Sequence, residues 1–361
     1  MRLAYVPVAV FFVAAAFWVT GTEGSAARPN IIFIMADDMG WGEPGSFPST
    51  SAHGKIATPN LDRFAKEGML FRHAYAGYTV CAPSRTALFT GRHSGQYKKA
   101  NLSGTSLPPG QAITTSELLH NAGYKTALVG KSAPLTSPIQ QGFDYFIGQV
   151  DQSFCHNMYP KSIDYGLGRG NVPLALNDQN PRSRDDCMAN PDNYNYTVDI
   201  TQTHSIKWLK ETVEQQGGDP FFLYMSFTVP HAGGWGDPPS NPEQGAPVPT
   251  DGQYGNEPWP NVEKDHAGVI VYLDNYVGEI MATLRELSID DDTIVFFASD
   301  NGAHLEGGHS VEFFNSTGGL KGHKRSLYEG GVRSPSMVRW PGKVAPNSES
   351  DLQWAFWDVS I

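Results

Sequence analysis

Several apolar runs in this chain end abruptly in charged or polar residues. Four of them are Asn30–Met35, Lys125–Gly130, Phe221–Phe227 and Thr293–Ala298. Continuous apolar runs of this length are typical of strands that are buried on both faces of a parallel sheet. Helical patterns lie between the runs. The alternation therefore predicts an α/β fold with a mainly parallel central sheet flanked by helices.

Two of the helical segments are well marked. The segment Thr58–Gly68 offers a capping threonine, a proline in the first turn and a glycine at its end, which is the usual order of helix signals. Between Val269 and Leu287 the apolar residues repeat on one stripe, which indicates an amphipathic helix. By contrast, residues 151–200 and 232–262 are rich in Asn, Asp, Gly and Pro. These two regions are expected to be long loops, either lids and binding loops or inert insertions.

The first residues indicate export. Arg2 precedes the apolar stretch Leu3–Val19, and small residues follow at 24–27. This pattern predicts a signal peptide at residues 1–26, with a retained membrane anchor as the alternative. Three glycosylation sequons agree with a secretory route; they begin at Asn101, Asn195 and Asn315. We therefore expect the secretory pathway, an extracellular or lysosome-like compartment, and no stable membrane span.

The net charge of −11 argues against nucleic acid as a partner. A hydrophobic content of 40% is that of an ordinary globular protein. Because the net negative charge of the protein repels anions, binding of an anionic substrate would need a pocket with local positive charge.

Polar residues follow each of the four predicted strands, and ligands bind beyond the carboxyl ends of parallel strands. Asp37, Asp38, Asp300 and Asn301 supply only oxygen donors. Hard cations such as Ca²⁺ or Mg²⁺ prefer that donor set. The alternative is that the first pair caps a helix and the second pair forms a turn. Taken together at two strand ends, the four residues predict a metal site.

Cys81 begins the run CAPSRTALFTGR, and it is one of only three cysteines. An odd count in an exported protein calls for an explanation. The run resembles the signature of sulfatases, in which the cysteine of Cys-x-Pro-Ser-Arg is oxidised to the aldehyde formylglycine. Further segments resemble the same family: Arg28–Asp38, Thr58–Asp62, Gly123–Thr126 with Gly130 and Lys131, Phe297–Gly302 and Lys324–Arg333.

The resemblance implies an alkaline phosphatase-like fold and hydrolysis of a sulfate ester to an alcohol and sulfate. It makes residue 81 the nucleophile and a metal ligand, just before a helix that starts near Pro83. Asp37, Asp38, Asp300 and Asn301 complete the site for Ca²⁺, with Mg²⁺ as the alternative. The formylglycine-generating enzyme is the implied partner during maturation, and an aryl sulfate or sulfated carbohydrate is the implied substrate.

The resemblance also assigns roles to four cationic residues. Arg85 would hold the modified residue 81, and Lys131, His231 and Lys324 would neutralise the sulfate oxygens. His231 or a neighbour would protonate the leaving alcohol. Lys321, His323 and Arg325 lie close to Lys324 in the sequence, so each is an alternative to it.

With Cys81 modified, the resemblance leaves Cys155 and Cys187 to form a disulfide, as exported proteins often do; the alternative is that both stay reduced. Two features depart from the family. Many sulfatases carry Gly-Lys-Trp-His, whereas this chain has Ser132 and Ala133 after Lys131. His156 or His304 is a candidate substitute for the absent histidine. The second departure is length: residues 27–361 are expected to form the catalytic domain, with the family's C-terminal subdomain missing or truncated.

Two other functions compete with sulfate-ester hydrolysis. Related proteins use the same formylglycine motif to hydrolyse phosphodiesters or phosphonate monoesters. A non-catalytic, truncated sulfatase-like protein that binds sulfated glycans is the rival from another class.

Overall fold

The computed structural model describes residues 28–152, 154–167, 171–176, 181, 183–215, 219–235 and 245–359. The predicted signal peptide at residues 1–26 lies outside the described residues. No helix in the described part of the chain is long and apolar enough to cross a membrane.

A ten-stranded sheet forms the centre of the molecule. The described strands are β1 (Asn30–Asp37), β2 (Met69–Phe71), β3 (Ala74–Tyr75), β4 (Lys125–Lys131), β5 (Tyr145–Gln149), β6 (Asn157–Tyr159), β7 (Ser162–Leu167), β8 (Asn171–Ala175), β9 (Phe221–Pro230), β10 (Gly234–Trp235), β11 (Thr293–Ser299), β12 (Ser336–Arg339), β13 (Ser348–Ser350) and β14 (Trp354–Ala355). The order in the large sheet is β13-β2-β12-β11-β1-β9-β4-β5-β7-β8. The four strands predicted from apolar runs lie side by side as β11, β1, β9 and β4, and all four are parallel.

Helices cover both faces of this sheet. They are α1 (Pro59–Glu67), α2 (Cys81–Thr90), α3 (Thr115–Asn121), α4 (Arg184–Ala189), α5 (Thr197–Gln215), α6 (Asn261–Glu286) and α7 (Glu329–Val332). Side chains of β1 alternate between two apolar cores. Ile32 and Ile34 pack in the core that includes residues of α1, α5 and α6, and Phe33 and Met35 pack in the core that includes residues of α2 and α3. The predicted fold class is confirmed.

The prediction of a long loop at residues 151–200 is wrong. That region contains β6, β7, β8 and α4, and α5 begins there. The strands β7 and β8 form an antiparallel pair that extends the sheet from β5. Their sequences lack a continuous apolar run, because β8 is the edge strand and its described side chains are exposed, and β7 is only partly buried. Of residues 232–262, the described part is mainly irregular but holds the short strand β10 and the first residues of α6.

The predicted disulfide between Cys155 and Cys187 is also wrong. All three cysteines are free and buried. The Cys155 thiol donates a hydrogen bond to the carbonyl oxygen of Gln152 at 3.0 Å, whereas Cys187 packs in the core beside α5 and α6. The two sulfurs therefore lie in different surroundings, and each behaves as a small buried apolar group.

The three sequons differ in accessibility. Asn101 is exposed and Asn195 is half-buried. The side-chain amide of Asn315 donates a hydrogen bond to Thr50 O at 2.8 Å, and its oxygen accepts one from Gly319 N at 3.0 Å. The side-chain amide of Asn315 is thus engaged on both atoms, and Asn101 is the most accessible of the three acceptors.

The N-terminus of α1 is capped from another helix. Thr58, the predicted capping residue, makes no side-chain capping bond. Instead the buried carboxylate of Asp274, on α6, accepts the backbone N–H of Leu61 at 2.7 Å. It also accepts the backbone N–H of Asn60 at 3.0 Å and the side-chain amide of Asn60 at 2.9 Å. This carboxylate therefore joins two helices of the same core.

Replacing Asp274 by Ala is expected to lower the free energy of unfolding by about 2–3 kcal/mol, because buried helix N–H groups lose their acceptor. Urea unfolding monitored by circular dichroism measures the change. Asn275→Ala, at an exposed position of the same helix, is the matched control and should change stability by less than about 0.5 kcal/mol. Equal losses in the two variants would contradict the capping role.

Candidate active site

The carboxyl ends of four neighbouring parallel strands bring the predicted site residues together. β1 ends at Asp37 and β4 ends at Lys131. His231 directly follows β9, and Asp300 directly follows β11. Gly130 has a φ of +105°, and a Cβ atom there would lie 2.0 Å from Ser226 O on β9. Only glycine fits this close approach, and the residue after it is Lys131.

Asp37 is fully buried between two cations. Lys131 Nζ lies 2.7 Å from Asp37 Oδ2, and Arg85 Nη2 lies 3.7 Å from Asp37 Oδ1. Burial alone would raise the pKa of the Asp37 carboxyl, but the coulombic attraction of Lys131 and Arg85 holds it well below its usual value. Asp37 is therefore ionised at neutral pH.

Asp38 is held by a second lysine. Its φ of +70° is in the left-handed region that non-glycine residues seldom adopt. Lys324 Nζ lies 2.7 Å from Asp38 Oδ2, 2.9 Å from His231 Nε2 and 2.9 Å from Glu306 Oε2. The three ammonium protons of Lys324 thus have three acceptors. Burial opposes ionisation, yet Lys324 and His231 lower the pKa of Asp38 to about 2.

Asp300 connects the segment after β1 to helix α2, and Asn301 contacts Asp38 in the same segment. Asp300 Oδ1 accepts the backbone N–H of Asp38 at 3.0 Å, and Asp300 Oδ2 accepts Arg85 Nε–H at 2.8 Å. Asn301 Nδ2 donates to Asp38 Oδ1 at 2.6 Å. Burial and the neighbouring Asp37 carboxylate raise the pKa of Asp300 to about 7. Of the three carboxylates, Asp300 is the one whose ionised form is least favoured.

Cys81 is the first residue of α2, so the helix begins two residues earlier than the predicted start near Pro83. Its sulfur accepts a hydrogen bond from Gln152 Nε2 at 3.3 Å. The donor atoms of Asp37, Cys81 and Asp300 lie within 4.8 Å of one another. Burial raises the pKa of the Cys81 thiol, so the unmodified thiol is neutral and a weak nucleophile.

Sequence similarity identifies the family to which the chain belongs. A family model described as Sulfatase matches residues 29–354. The chain belongs to the sulfatase family. The matched range contains the strands, the helix α2 and the site residues described above.

Two curated relatives are N-acetylgalactosamine-6-sulfatases. The protein from Canis lupus familiaris is 32% identical over 90% of this chain and 59% of its own length. The protein from Homo sapiens is 31% identical over 94% of this chain and 62% of its own length. The chain therefore spans about three fifths of the length of these sulfatases.

Solved structures show the same fold. The crystal structure of Ps i-CgsB in complex with k-i-k-neocarrahexaose superposes with a TM-score of 0.71 at 26% identity, over 92% of this chain and 70% of the other. The phosphonate monoester hydrolase of Agrobacterium radiobacter superposes with a TM-score of 0.55 at 18% identity, over 92% of this chain and 72% of the other. The latter likeness concerns the fold alone.

Unpaired buried atoms in this sulfatase site fit a bound metal ion. Asp37 Oδ1 and Asn301 Oδ1 are buried oxygens without a hydrogen-bond partner. A buried acceptor left without a partner is costly, and a cation removes that cost. Together with Asp38 and Asp300 they form an all-oxygen set on the protein side, which suits Ca²⁺ or Mg²⁺ better than zinc.

The structure distinguishes the two candidate substitutes for the absent histidine. His156 Nε2 lies 3.1 Å from Lys131 Nζ, and the ring of His156 stacks on that of His231 with centroids 3.8 Å apart. Both ring nitrogens of His304 are already hydrogen-bonded to the backbone. Its Nε2 donates to Pro230 O at 3.0 Å, and its Nδ1 accepts Glu306 N–H at 3.0 Å. His156 is therefore the histidine that faces the site.

The structure also separates Lys324 from its neighbours in sequence. Lys324 is buried against Asp38, as described above. The ammonium of Lys321 lies over the ring of Tyr328, 3.8 Å from its centroid, and His323 Nδ1 lies 3.0 Å from Lys324 O. The side chain of Arg325 is 64% exposed and pairs with Glu306. Lys324 is the member of this group that enters the site.

Sequence reasoning missed three polar residues of the site. Glu306 contacts both Lys324 and His231, Gln152 contacts Cys81, and Ser226 on β9 is hydrogen-bonded to Arg85 Nη1. Ser226 interrupts an apolar run. A polar residue at a buried strand position indicates a functional or structural contact, so the sequence could have identified Ser226. Glu306 begins a single 3₁₀ turn and Gln152 lies in a turn, and neither belongs to an apolar periodicity that predicts the direction of its side chain.

The prediction that Asp300 is a ligand of Ca²⁺ implies that Asp300→Asn weakens Ca²⁺ binding by more than about 100-fold, because loss of a direct ligand costs at least as much as loss of a supporting residue. Calcium titration followed by the unfolding temperature measures the affinity of each protein. Asp291→Asn, at an exposed position before β11, is the matched control and should keep the wild-type response. The metal assignment fails if Asp300→Asn shows the same calcium-dependent rise in unfolding temperature as wild type.

Proposed function

We propose that this sulfatase-family protein hydrolyses a sulfate ester to an alcohol and inorganic sulfate, with formylglycine formed from Cys81 as its nucleophile. The observation that carries the proposal is the position of Cys81. The cysteine of a Cys-x-Pro-Ser-Arg run stands at the first turn of α2, within 4.8 Å of carboxylate oxygens of Asp37 and Asp300. A buried, neutral thiol there has little use as a nucleophile, whereas a hydrated aldehyde supplies two hydroxyl groups on one carbon.

Asp37, Asp38, Asp300, Asn301 and the modified residue 81 would hold the metal ion, and Ca²⁺ is our preferred choice. When bound, the ion supplies Lewis-acid stabilisation of negative charge on oxygen. Support comes from the unpaired oxygens of Asp37 and Asn301 and from the oxygen-only donor set, with Mg²⁺ as the alternative.

Arg85 positions residue 81. Its guanidinium is fully buried and is fixed by Asp300, Ser226 and the more distant Asp37. Arg85 Nη2 is buried and has no hydrogen-bond acceptor. We assign this free N–H to a hydroxyl of the hydrated residue 81, one helical turn away. The N-terminal end of α2 adds its partial positive charge on the same side.

Three side chains surround the space in which we place the sulfate group. Lys131 ends β4, His231 follows β9, and Lys324 lies in the segment after Asn301. We assign them to the sulfate oxygens, whose charge they would neutralise in a site of low dielectric. His231 lies 3.0 Å from Glu306 Oε2 and 2.9 Å from Lys324 Nζ. We assign protonation of the leaving alcohol to the hydrogen-bonded pair of His231 Nε2 and Lys324 Nζ, in which the ammonium of Lys324 carries the proton.

His156 takes the place of the histidine that is absent after Lys131. It is the more accessible of the two stacked histidines, with 21% of its side chain exposed. Its position beside Lys131 and Asp37 allows it to accept the proton from the second hydroxyl of residue 81. In the preceding step the first hydroxyl of residue 81 would attack the sulfur, displace the alcohol and leave sulfate esterified to residue 81. Transfer of the second hydroxyl's proton to His156 would then form the aldehyde C=O while the C–O bond to sulfate breaks and sulfate leaves.

The proposed biology follows from the sequence. Residues 27–361 would be the catalytic domain, and the N-terminal apolar segment would direct the chain into the secretory pathway. There the formylglycine-generating enzyme would modify Cys81. The curated relatives named for N-acetylgalactosamine 6-sulfate favour a sulfated carbohydrate as the substrate over a simple aryl sulfate.

Purified protein with converted residue 81 is expected to release sulfate from 6-sulfated N-acetylgalactosamine and from 4-nitrophenyl sulfate. Turnover of the matched phosphate diester and phosphonate monoester should be at least about 100-fold slower, since discrimination of about 3 kcal/mol is within reach of a preorganised cationic site. Parallel kcat/KM measurements on the four compounds test this. Faster phosphodiester or phosphonate cleavage would reassign the enzyme. Binding of sulfated glycan without turnover would favour the non-catalytic alternative.

His156→Gln is expected to lower kcat by about 100-fold or more, because general acid–base catalysis contributes that much to a proton transfer. His304→Gln is the matched comparison, since His304 is buried nearby but bonded to the backbone on both ring nitrogens. Steady-state kinetics on 4-nitrophenyl sulfate, corrected for the folded and converted fraction, separates the two. The assignment of His156 would be wrong if both variants kept full turnover.

A further inference from the structure

An exposed arginine borders the candidate active site. The side chain of Arg325 is 64% exposed, and its Nη1 atom pairs with Glu306 Oε1. The other oxygen of Glu306, Oε2, lies 2.9 Å from Lys324 Nζ and 3.0 Å from His231 Nε2. One carboxylate therefore separates Arg325 from two residues that we assign to the sulfate group. Arg325 itself has no part in the proposed hydrolysis.

Side-chain exposure rises from the proposed sulfate pocket towards Arg325. The exposed fraction is 3% for Lys324, 9% for His231 and 23% for Glu306. His156, whose ring stacks on that of His231, is 21% exposed. Water therefore reaches the site beside His156 and Glu306, and Arg325 lies on the Glu306 side of this opening.

The backbone holds Arg325 at this position. Its φ of +72° is in the left-handed region, which glycine adopts freely and residues with a side chain adopt at a cost. The N–H of Arg325 donates to Thr79 O at 2.9 Å, and Thr79 is two residues before Cys81. A side chain kept at a position that favours glycine, next to a proposed nucleophile, points to a use for that side chain.

The guanidinium of Arg325 has donors to spare. A guanidinium carries five N–H groups, and within the described part of the chain Glu306 is the only acceptor of this one. Other guanidinium groups of the protein bind two carboxylates each. They are Arg72 with Glu349 and Asp351, Arg184 with Asp251 and Asp265, and Arg339 with Glu67 and Asp290. Arg325 therefore has room for a second anion beside Glu306.

The chemistry of that anion follows from the donor. Carboxylate and sulfate groups present pairs of oxygens that match the planar fork of a guanidinium. An exposed ion pair such as that of Arg325 with Glu306 contributes little stability by itself, because water screens it. The pair positions the guanidinium beside the sulfate pocket and leaves its unused N–H groups available to a ligand.

We propose that Arg325 binds a second anionic group of the substrate, a carboxylate or a further sulfate, on the saccharide that carries the scissile ester. This inference rests on the proposed function, which places the ester against Lys131, Lys324 and His231. The preferred substrate is then a saccharide with at least two negative charges rather than a singly sulfated sugar. Arg325 selects the substrate and does not touch the reacting atoms.

Binding to unconverted protein tests this inference without requiring turnover. Isothermal titration calorimetry on the full chain with the Cys81 thiol, in excess Ca²⁺, gives Kd for three probes. They are 6-sulfated N-acetylgalactosamine, 4,6-disulfated N-acetylgalactosamine and a disaccharide that links a uronic acid to the 6-sulfated sugar. The wild type is expected to bind at least one doubly charged probe about 10-fold more tightly than the singly charged probe, a gain typical of charge-assisted hydrogen bonds. The tighter of the two doubly charged probes identifies the second anion as sulfate or carboxylate.

Arg325→Gln is expected to abolish this preference, and Arg325→Lys to keep part of it because the charge remains while the fork is lost. Arg72→Gln removes another exposed arginine that is paired with carboxylates, and it should keep the wild-type preference. The inference is overturned if the wild type shows no preference, if Arg325→Gln keeps it, or if Arg72→Gln loses it as well. An Arg325-dependent preference, combined with no sulfate release by converted protein, would support the inference and refute the proposed hydrolysis alone.

Discussion

Three buried carboxylates, each paired with its own cation, organise the active site. Asp37 pairs with Lys131, Asp38 with Lys324, and Asp300 with Arg85. Removing one partner from such a pair leaves an uncompensated buried charge and costs about 3–5 kcal/mol. The six groups come from β1, β4, β11, α2 and the segment after Asn301, so these pairs fix the ends of the sheet relative to the helix that carries Cys81.

The same electrostatics explains why the site suits a metal ion. Burial and the neighbouring Asp37 carboxylate raise the pKa of Asp300 to about 7. A divalent ion beside Asp37 and Asp300 would offset the repulsion between these two carboxylates.

Much of the fold was predictable because buried parallel strands leave a direct signal in sequence. The runs that became β1, β4, β9 and β11 are apolar on both faces, and each ends where its polar residue enters the site. The edge strands β7 and β8 lack that signal, so their region was predicted as loop. The capping of α1 by Asp274 was not predictable either, since it depends on how two distant helices pack.

For the site, the residues that follow apolar runs were predicted from their position, whereas Cys81, Arg85 and Lys324 were predicted from the family resemblance. Neither Gln152 nor Glu306 belongs to a periodic pattern, and the sequence did not choose between His156 and His304; the contact of His156 with Lys131 supports our proposal for His156. The predicted pairing of Cys155 with Cys187 was wrong because compartment and cysteine count carry no distance information. The direction of a side chain depends on how the folded chain packs, and amino-acid composition alone does not predict that packing.

The proposed hydrolysis depends on residue 81 acting as an aldehyde. Mass spectrometry of the peptide containing residue 81, combined with sulfate-ester turnover in the same preparations, made with and without the formylglycine-generating enzyme, tests this. We expect oxygen to replace the sulfur of Cys81 and turnover to rise in proportion to the converted fraction. A peptide that keeps its thiol while a control sulfatase from the same host is converted would refute the aldehyde, as would turnover that is independent of conversion.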